Sequence, residues 1–484
     1  MKESAMVTKR FTLHDQLAFA NLSQDHNPIH IDPIIARRRI YGQPVVYGVN
    51  ALLWSLATLA KQLTRPTLID GLNCDFIKPI VLEADTAALV DLTGPHKAKL
   101  EIFQFGNAIA RFTIEFRDDE SALSGSLPVP WPAVATNERQ YSPVEVAAES
   151  LADLSGSLAL FLDVSETNSM YGPRLLDIFG QSQIAEIIVL TRLVGMHVPG
   201  LHSLFTEIKL KRSLNPDMDA VLYKVTDFDT RFNLATIACR SPSFESRLKA
   251  FLSPSSIKQA AYADILLKAG QLNVKSQRAL VIGGSRGLGE VTVKSLAAGG
   301  ADVLLTYCTG LDDAQAVVDD VVSCGGKARA LRCDVSGPMD EALSAFVAFK
   351  PTHVYFFATP YIFSGHKDNF SYVKFQGFSD FYIEAFNKIL QPLMAAGTRN
   401  FFYPSTVAID EMPAAMGEYI VAKAAAEAYC QWMTQNRPQL TIFTPRLPRL
   451  ATDQTVSVLN ADNRDAGVMI EYISAFLAQC RPHD

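Results

Sequence analysis

The sequence is poor in charge. Asp, Glu, Lys and Arg make up 19% of its 484 residues, against roughly 25% in an average globular chain. Nor is there a basic excess: 44 Lys and Arg against 50 Asp and Glu leave a formal net charge of −6. A nucleic-acid binder normally carries a basic face or stripe, so that class is excluded. Cysteine is sparse as well. The seven cysteines, at 74, 239, 308, 324, 333, 430 and 480, are scattered and never spaced as C-x-x-C. Neither a disulfide framework nor a zinc knuckle is expected, no metal site is predicted, and a reduced compartment follows. Long hydrophobic runs are also missing. The N-terminus, MKESAMVTKRF, has no signal-peptide core. The stretch 45–60 is interrupted by Tyr47, Gly48, Asn50 and Ser55, which leaves it too short and too polar for a bilayer core of about 30 Å. The expectation is a cytoplasmic protein with no membrane or nucleic-acid partner. Its low charge points to extensive interdomain or subunit contact, as in a homo-oligomer such as a dimer. Apolar residues are plentiful at 48%, which excludes disorder as the main state. At roughly 150 residues per domain the length suggests about three domains.

Three blocks follow one another. Residues 11–116 open on a Pro/His-bearing loop, run into an apolar helix from Gly48, and end in alternating segments such as KLEIFQFG and AIARFTIEF that suit a half-buried sheet. Residues 118–140, rich in Ser, Pro and charge, read as a linker. Block two, 141–240, repeats the first weakly: Gly180 opens a helical run as Gly48 does, 132 residues earlier, and Phe76 meets Ile208 at the same offset. Residues 242–276 read as a second connection, with SPSS capping a helix that ends near Gly270. From 277 to 484 strands alternate with helices, RALVIGG, EVTVKSLAAGG, ADVLLTY and onward, which means a parallel sheet with right-handed crossovers. As domains these become 1–135, 136–272 and 273–484.

The informative run in the first block is SQDHNPIHIDP, residues 23–33. Asp25 and His30 stand five apart around Pro28, where a helix cannot continue, and a carboxylate and an imidazole brought together there can share acid–base work on one water. Asp25, Asn27, Pro28 and His30 resemble the Asp-x-Asn-Pro-x-His signature of the MaoC-type, R-specific enoyl-thioester hydratases. YGQPVVYGV (41–49) is similar to that family's F-G-x-P-I-V-H-G-M stretch, with Tyr47 where His is usual. The resemblance covers roughly residues 11–116. It implies a hotdog fold, a long central helix wrapped by an antiparallel sheet. It also implies Asp25 and His30 as the catalytic pair, with Asn27 and the helix start at Gly48 facing the substrate's thioester carbonyl. Free N–H groups at a helix start stabilise an enolate oxygen without reorganising. In the second block, the positions 132 beyond this pair are Ser157 and Leu162, with no Asp–His pair. A second hotdog there is expected to be catalytically silent, completing a pseudo-dimer and walling the acyl tunnel.

In the third block the turn GGSRGLG (283–289) admits two readings. Gly283-x-Ser285-x-Gly287 matches the nucleophile elbow of α/β-hydrolases. Gly283-x3-Gly287-x-Gly289 matches a dinucleotide-binding turn, whose glycines let the backbone approach a pyrophosphate. The rest of the block decides. Tyr419-x3-Lys423 lies on one face of a helix, Ser405 and Thr406 stand 14 and 13 residues earlier, and Asp334-Val335 ends the third strand. Together these resemble the short-chain dehydrogenase/reductase family. That resemblance implies that Tyr419 donates a proton to the carbonyl, that Lys423 lowers the tyrosine's pKa and holds the nicotinamide ribose, and that Ser405 or Thr406 positions the carbonyl oxygen. Cofactor contacts fall to Gly283, Ser285, Arg286, Gly287, Gly289, Asp334, Val335, Ala358 and Lys423. An NAD enzyme places an acid about 20 residues past the turn; here that place reads LLTYCTG, and Arg286 without an opposing carboxylate suits a 2′-phosphate. NADPH is therefore preferred over NADH. Two departures stand out. Phe356-Phe357-Ala358-Thr359 replaces the usual N-N-A-G, and Lys374 takes the place of the helix Asn, where a second cation lowers one lysine's pKa.

The expected architecture is an α+β double hotdog followed by an α/β Rossmann-type, doubly wound parallel sheet. The expected function is bifunctional: NADPH-dependent reduction of a 3-oxoacyl thioester, then dehydration of the 3-hydroxyacyl product to the 2-enoyl thioester. The thioester is carried on coenzyme A or acyl carrier protein, in fatty-acid or polyketide-like biosynthesis. The alternatives are a hydratase whose reductase-like domain does not reduce, and a scaffold for an acyl carrier protein in which both sites are dead.

Overall fold

A computed structural model of the chain describes residues 5–123, 142–215, 217–363, 365, 369–455 and 463–480. Most of the linker expected over 118–140 lies outside them. The described residues form two units, one up to Ser255 and the other from Ser256 onward.

The first unit is built on ten strands: β1 (Ala5–Arg10), β2 (Thr67–Phe76), β3 (Asp85–Gly94), β4 (Lys97–Gln104), β5 (Asn107–Asp118), β6 (Ser155–Ala159), β7 (Ser203–Arg212), β8 (Ala220–Asp229), β9 (Leu234–Arg240) and β10 (Phe244–Leu252). They lie side by side in the order β1-β3-β4-β5-β2-β7-β10-β9-β8-β6. The second five mirror the first five across the antiparallel β2–β7 seam, where Gly71 pairs with Lys211 and Cys74 with Ile208. Strict alternation makes these strands: in β4, Ala98, Leu100 and Ile102 point into the core while Lys97, Lys99 and Glu101 face out. The first half wraps the helix Gly48–Ala60, which is apolar nearly all round and therefore buried. Its counterpart in the second half is the helix Gln181–Arg192. Both helices and both half-sheets contribute to one continuous core.

The repeat corrects three expectations. Matching register breaks occur at Ile69/Gly71 in β2 and Phe205/Glu207 in β7, 136 residues apart. Ile208 therefore corresponds to Leu72, not Phe76, because the second half inserts a π turn, Leu193–His197, between helix and strand. Ser157 lies on β6 and Leu162 just past it. The counterpart of the 24–47 loop is instead 172–180, between the helix Val164–Tyr171 and the central helix, and it too has no histidine. Finally, the connection expected over 242–276 contains β10, an inner strand held between β7 and β9. Glu245, Arg247 and Lys249 give it a polar look, but Phe244, Leu248 and Ala250 face the core. The helix Tyr262–Ala269 ends at Gly270 as expected, yet Ala261 occupies its N-cap, so SPSS (253–256) caps nothing.

The second unit carries β11 (Arg278–Ile282), β12 (Asp302–Tyr307), β13 (Lys327–Arg332), β14 (His353–Phe356), β15 (Asn400–Phe402), β16 (Ser405–Thr406), β17 (Thr441–Phe443) and β18 (Arg446–Leu447). Six of them form a parallel sheet in the order β13-β12-β11-β14-β15-β17, and β16 pairs with β18. Alternate residues of β11 feed two cores, Leu280 and Ile282 one, Ala279 and Val281 the other. Helices cover both faces, which is the reason these strands are continuously apolar. Strand order reverses between β11 and β14, the crevice where such sheets bind ligands.

Candidate functional site

In the first unit the helix Leu13–Ser23 ends at Gln24 in a left-handed conformation, which turns the chain into the Asp25 loop. Asp25 is 1% exposed. Its Oδ1 accepts the Asn27 N–H at 3.1 Å and its Oδ2 accepts the Thr191 hydroxyl at 2.8 Å. Burial pushes this carboxyl up to about 7, with both hydrogen bonds pulling the other way. His30 lies on the short helix Pro28–Ile31, and its Nδ1 meets the Val45 carbonyl at 2.7 Å. A carbonyl only accepts, so Nδ1 carries the proton in the neutral ring and Nε2 keeps a lone pair. Burial lowers His30 to about 4. Asp25 and His30 are not hydrogen-bonded to each other; Tyr47 links them. Its ring stacks on His30 with centroids 3.8 Å apart, and its hydroxyl donates to the Asp25 main-chain carbonyl.

Asn27, expected to face substrate, is engaged elsewhere. Its Oδ1 caps Ile29, and its Nδ2 donates to the carbonyls of Gly195 and Gly200 at 3.0 and 3.1 Å. It ties the loop to the second half-sheet. Gly48 begins its helix with no side-chain cap, leaving the first N–H groups without intrahelical acceptors. A Cβ there would meet the Phe76 ring at 2.6 Å. The second half closes the site from behind: a Cβ on Gly195 would stand 2.3 Å from Asp25 Oδ1, and the His26 N–H donates to Met196 Sδ at 3.1 Å. Thr191, Gly195 and the bracing role of Tyr47 had escaped the sequence reading. Only the alignment of Tyr47 with a family His gave a signal for any of them.

In the second unit, Gly283 and Gly287 have φ of 78° and 57°, and a Cβ on Gly289 would stand 2.1 Å from the Gly283 carbonyl oxygen. The helix Gly287–Ala298 starts without a side-chain cap. This glycine turn fits a pyrophosphate, whose oxygens the free N–H groups would take. Buried Ser285 lies within the turn, and the Ala358 N–H packs 2.9 Å from where a Gly283 Cβ would be. Asp334 and buried Val335 follow β13, the Asp334 carboxylate accepting the Ser336 N–H and hydroxyl at 2.9 and 2.6 Å. One premise is overturned. Arg286 has an opposing carboxylate, Asp453, at 2.6 Å.

Tyr419 and Lys423 share one face of the helix Gly417–Asn436. Burial pushes Tyr419 up to about 12, and a hydrogen bond with Thr406 is what pulls it down. Of the two hydroxyls retained from sequence, Thr406 is thus the one at Tyr419; Ser405 donates to Glu427 instead. Lys423 donates to the Pro404 carbonyl at 2.8 Å and lies 4.0 Å from the centre of the Tyr382 ring. Burial lowers it to about 7. Lys423 is not among the groups that act on Tyr419, which are burial and Thr406. Lys374 lies in the first turn of the helix Tyr372–Ser379, and the groups that act on Lys423 are burial, Cys430 and Glu427. The residue facing Lys423 is Tyr382, on the π turn Asp380–Ala385, whose hydroxyl bonds Thr359 at 2.6 Å.

Among the described residues no group of three or more His, Cys, Asp or Glu is placed to hold a metal ion, and no helix is long and apolar enough to cross a membrane. The first unit thus holds a buried Asp–His loop against a sheet-wrapped helix, and the second a parallel sheet with a glycine turn and a Tyr-x3-Lys helix. The chain belongs to the MaoC-like family through its N-terminal part, and part of its C-terminal unit is similar to the short chain dehydrogenases. The MaoC like domain family matches residues 3–105 and the short chain dehydrogenase family residues 277–352. The (R)-specific enoyl-CoA hydratase of Aeromonas caviae is 32% identical over 115 residues, 22% of this chain and 86% of that protein. An uncharacterized oxidoreductase of Methylorubrum extorquens is 43% identical over 58 residues, 12% of this chain and 23% of that protein. Among solved structures, a short-chain dehydrogenase from Burkholderia cenocepacia in complex with NADP is 24% identical, covering 42% of this chain and 91% of its own, with a TM-score of 0.38. A short-chain dehydrogenase/reductase from Serratia marcescens is 18% identical at the same coverage and TM-score.

Proposed function

We propose that the first unit is a double hotdog that hydrates 2-enoyl thioesters, and dehydrates 3-hydroxyacyl thioesters, at Asp25 and His30. The carrying observation is that burial reverses the usual order of the two groups, Asp25 rising to about 7 and His30 falling to about 4. Environments that push two titratable groups apart assign acid and base. In dehydration the bare Nε2 of His30 takes the α-proton, and the Asp25 carboxyl protonates the departing hydroxyl; hydration runs the same transfers backwards. The free N–H groups at Gly48 face the thioester oxygen as charge develops there. The one-proton form of the pair is the working form, so rate against pH is a bell with limbs near 4 and 7. Crotonyl thioesters of coenzyme A and of a carrier protein, followed by loss of enoyl absorbance, test this directly; no turnover of either overturns it.

The second unit supports a reductase acting on the preceding 3-oxoacyl thioester, so that two consecutive reactions share one chain, in fatty-acid or polyketide-like biosynthesis. Gly283, Ser285, Arg286, Gly287, Gly289, Asp334, Val335, Ala358 and Lys423 would hold a nicotinamide dinucleotide, which supplies the hydride. Tyr419 gives the proton to the carbonyl oxygen, and Thr406 holds that oxygen. NADPH remains the better cofactor because the end of β12, Tyr307-Cys308-Thr309-Gly310, carries no acid to bind a ribose 2′-hydroxyl, but Arg286 must leave Asp453 to reach a 2′-phosphate, so the margin is small. A homodimer in the cytoplasm completes the proposal. A second reading, hydration without reduction, is favoured by one arrangement: Lys423 is held under the Tyr382 ring while Tyr419 stays near 12. NADPH oxidation with a series of 3-oxoacyl thioesters separates the two.

A further inference from the structure

We infer that Thr191, on the half of the sheet that has no Asp–His pair, is a positioning residue for the hydration reaction, its hydroxyl holding the Asp25 carboxylate in the orientation from which it transfers protons. The inference rests on the hydratase reading above. Thr191 lies near the end of the helix Gln181–Arg192, 5% exposed, and its Oγ1 stands 2.8 Å from Asp25 Oδ2. The other oxygen, Oδ1, takes the Asn27 N–H at 3.1 Å. Behind the carboxylate is the Gly195 backbone, where a Cβ would stand 2.3 Å from Oδ1. Both oxygens are held and the far side is closed.

The choice Thr191 makes is informative. A helical threonine commonly returns its hydroxyl proton to the carbonyl four residues back. In this protein Thr58 does so to Trp54 at 3.0 Å, Thr167 to Asp163 at 2.6 Å and Thr292 to Leu288 at 2.8 Å. Thr191 gives its single proton to Asp25 instead. Immediately beyond it the helix opens into the π turn Leu193–His197, a feature frequent at functional sites. That turn supplies the Gly195 carbonyl to Asn27 and the Met196 sulfur to the His26 N–H. The half without its own catalytic pair is a working part of its neighbour's site.

A donor on Oδ2 favours the charged carboxylate and so opposes burial; losing it raises Asp25 above about 7. The titratable and charged groups on the enclosing elements are His26, His30, Tyr47, Arg192 and His197. Burial holds the three histidines below their usual range and Tyr47 well above its own. Arg192 is turned to the Ala159 carbonyl and the Phe161 ring. The shift of Asp25 itself comes from burial, Thr191 and the Asn27 N–H.

The test compares the full chain with Thr191→Val, which keeps the shape and removes the hydroxyl, and Thr191→Ser, which restores it. Hydration kcat and KM are measured across pH, and the Asp25 carboxyl is titrated by difference infrared spectroscopy against Asp25→Asn. In Thr191→Val, kcat should fall about tenfold while KM changes less than about twofold. The alkaline limb and the infrared titration should both move up by about one pH unit, and Thr191→Ser should bring all of them back. Wild-type kcat and an unmoved titration in Thr191→Val overturn the inference, as does a serine variant no better than the valine. If the wild type hydrates no enoyl thioester, the hydratase reading falls, and the infrared titration alone then decides whether Thr191 holds Asp25. Thr191→Ala is read in the same way if the valine variant does not fold.

Discussion

Asp25 with His30 in the first unit and Tyr419 with Lys423 in the second are each a pair of titratable groups taken out of water, and the two pairs are held by different neighbours. In the first, Nδ1 of His30 is committed to the Val45 carbonyl, so Nε2 keeps a lone pair, and burial holds Asp25 near 7; in the proposed reaction these serve as base and acid. In the second, burial likewise drives both groups toward their neutral forms, Tyr419 to about 12 and Lys423 to about 7, and Lys423 donates a hydrogen bond to the Pro404 carbonyl beside the Tyr382 ring. Burial favours the neutral form of all four groups and reverses the usual order within each pair. The difference lies in the neighbours: a threonine hydroxyl and a backbone N–H on Asp25, a tyrosine ring on Lys423.

The comparison is most easily broken at Asp25. Asp25→Asn should lower enoyl-thioester hydration at least about a hundredfold, the usual scale for a lost acid–base group, while Tyr419→Phe leaves hydration unchanged. Near-normal turnover in Asp25→Asn would reduce the motif to a turn. Next in size is Gly195→Ala, whose methyl must displace the Asp25 carboxylate. Hydration should fall about tenfold or more and stability by about 1–3 kcal/mol, read by kinetics and thermal melting; an alanine variant equal to wild type would show that the second half does not press on Asp25. For the second pair the handle is pH. Folded Lys423 loses its proton near 7 and unfolded lysine near 10.4, so between these values the unfolded state binds more protons and stability rises with pH. The window to watch is about 7 to 8.5, before buried thiols such as Cys430, pushed up to about 12, reverse the slope. Lys423→Met should flatten that rise in denaturant titrations, and an unchanged slope would mean that the lysine is not the group concerned.

Cofactor choice sharpens the contrast at smaller scale. Asp453→Asn frees Arg286 from its carboxylate and should increase the ratio of NADPH to NADH affinity by about three- to tenfold, measured by fluorescence titration; Arg286→Ala should erase the preference. The smallest effect is a control. Gly377, in the helix Tyr372–Ser379, has nothing within 4 Å of a Cβ. Gly377→Ala should stabilise by about 0.5–1 kcal/mol and leave hydration untouched.

Much of the fold could be read from residues close together in the chain. The apolar run from Gly48 and the alternation of KLEIFQ are visible within a dozen residues, as are the glycine turn and Tyr419-x3-Lys423, and all took the form their periods imply. Reading failed where a local pattern gave the wrong emphasis. In β10 three charged side chains hid an inner strand, because only every second residue of a strand reports on the core. It failed again where the deciding partner is remote. Thr191 lies 166 residues from Asp25, and Asp453 lies 167 from Arg286. Arg286 therefore looked free of any carboxylate when read alone.

What the sequence by itself determined is the set of reactive groups and the local frames that carry them: an Asp–His pair around a proline, a glycine turn, a tyrosine and lysine one helical turn apart. Backbone sterics and side-chain period act over a few residues, so a few residues suffice to state them. What only the tertiary structure decided is the condition of those groups. Protonation depends on how much water burial removes and on which donors and rings are brought near, and both are set by elements far apart in the chain. The seam between β2 and β7 binds the two half-sheets together, and across the halves Thr191 meets Asp25. The fold of the second unit puts Tyr382 over Lys423 and Asp453 against Arg286. Each of these contacts changes what a recognisable motif can do, and none leaves a mark in the motif itself.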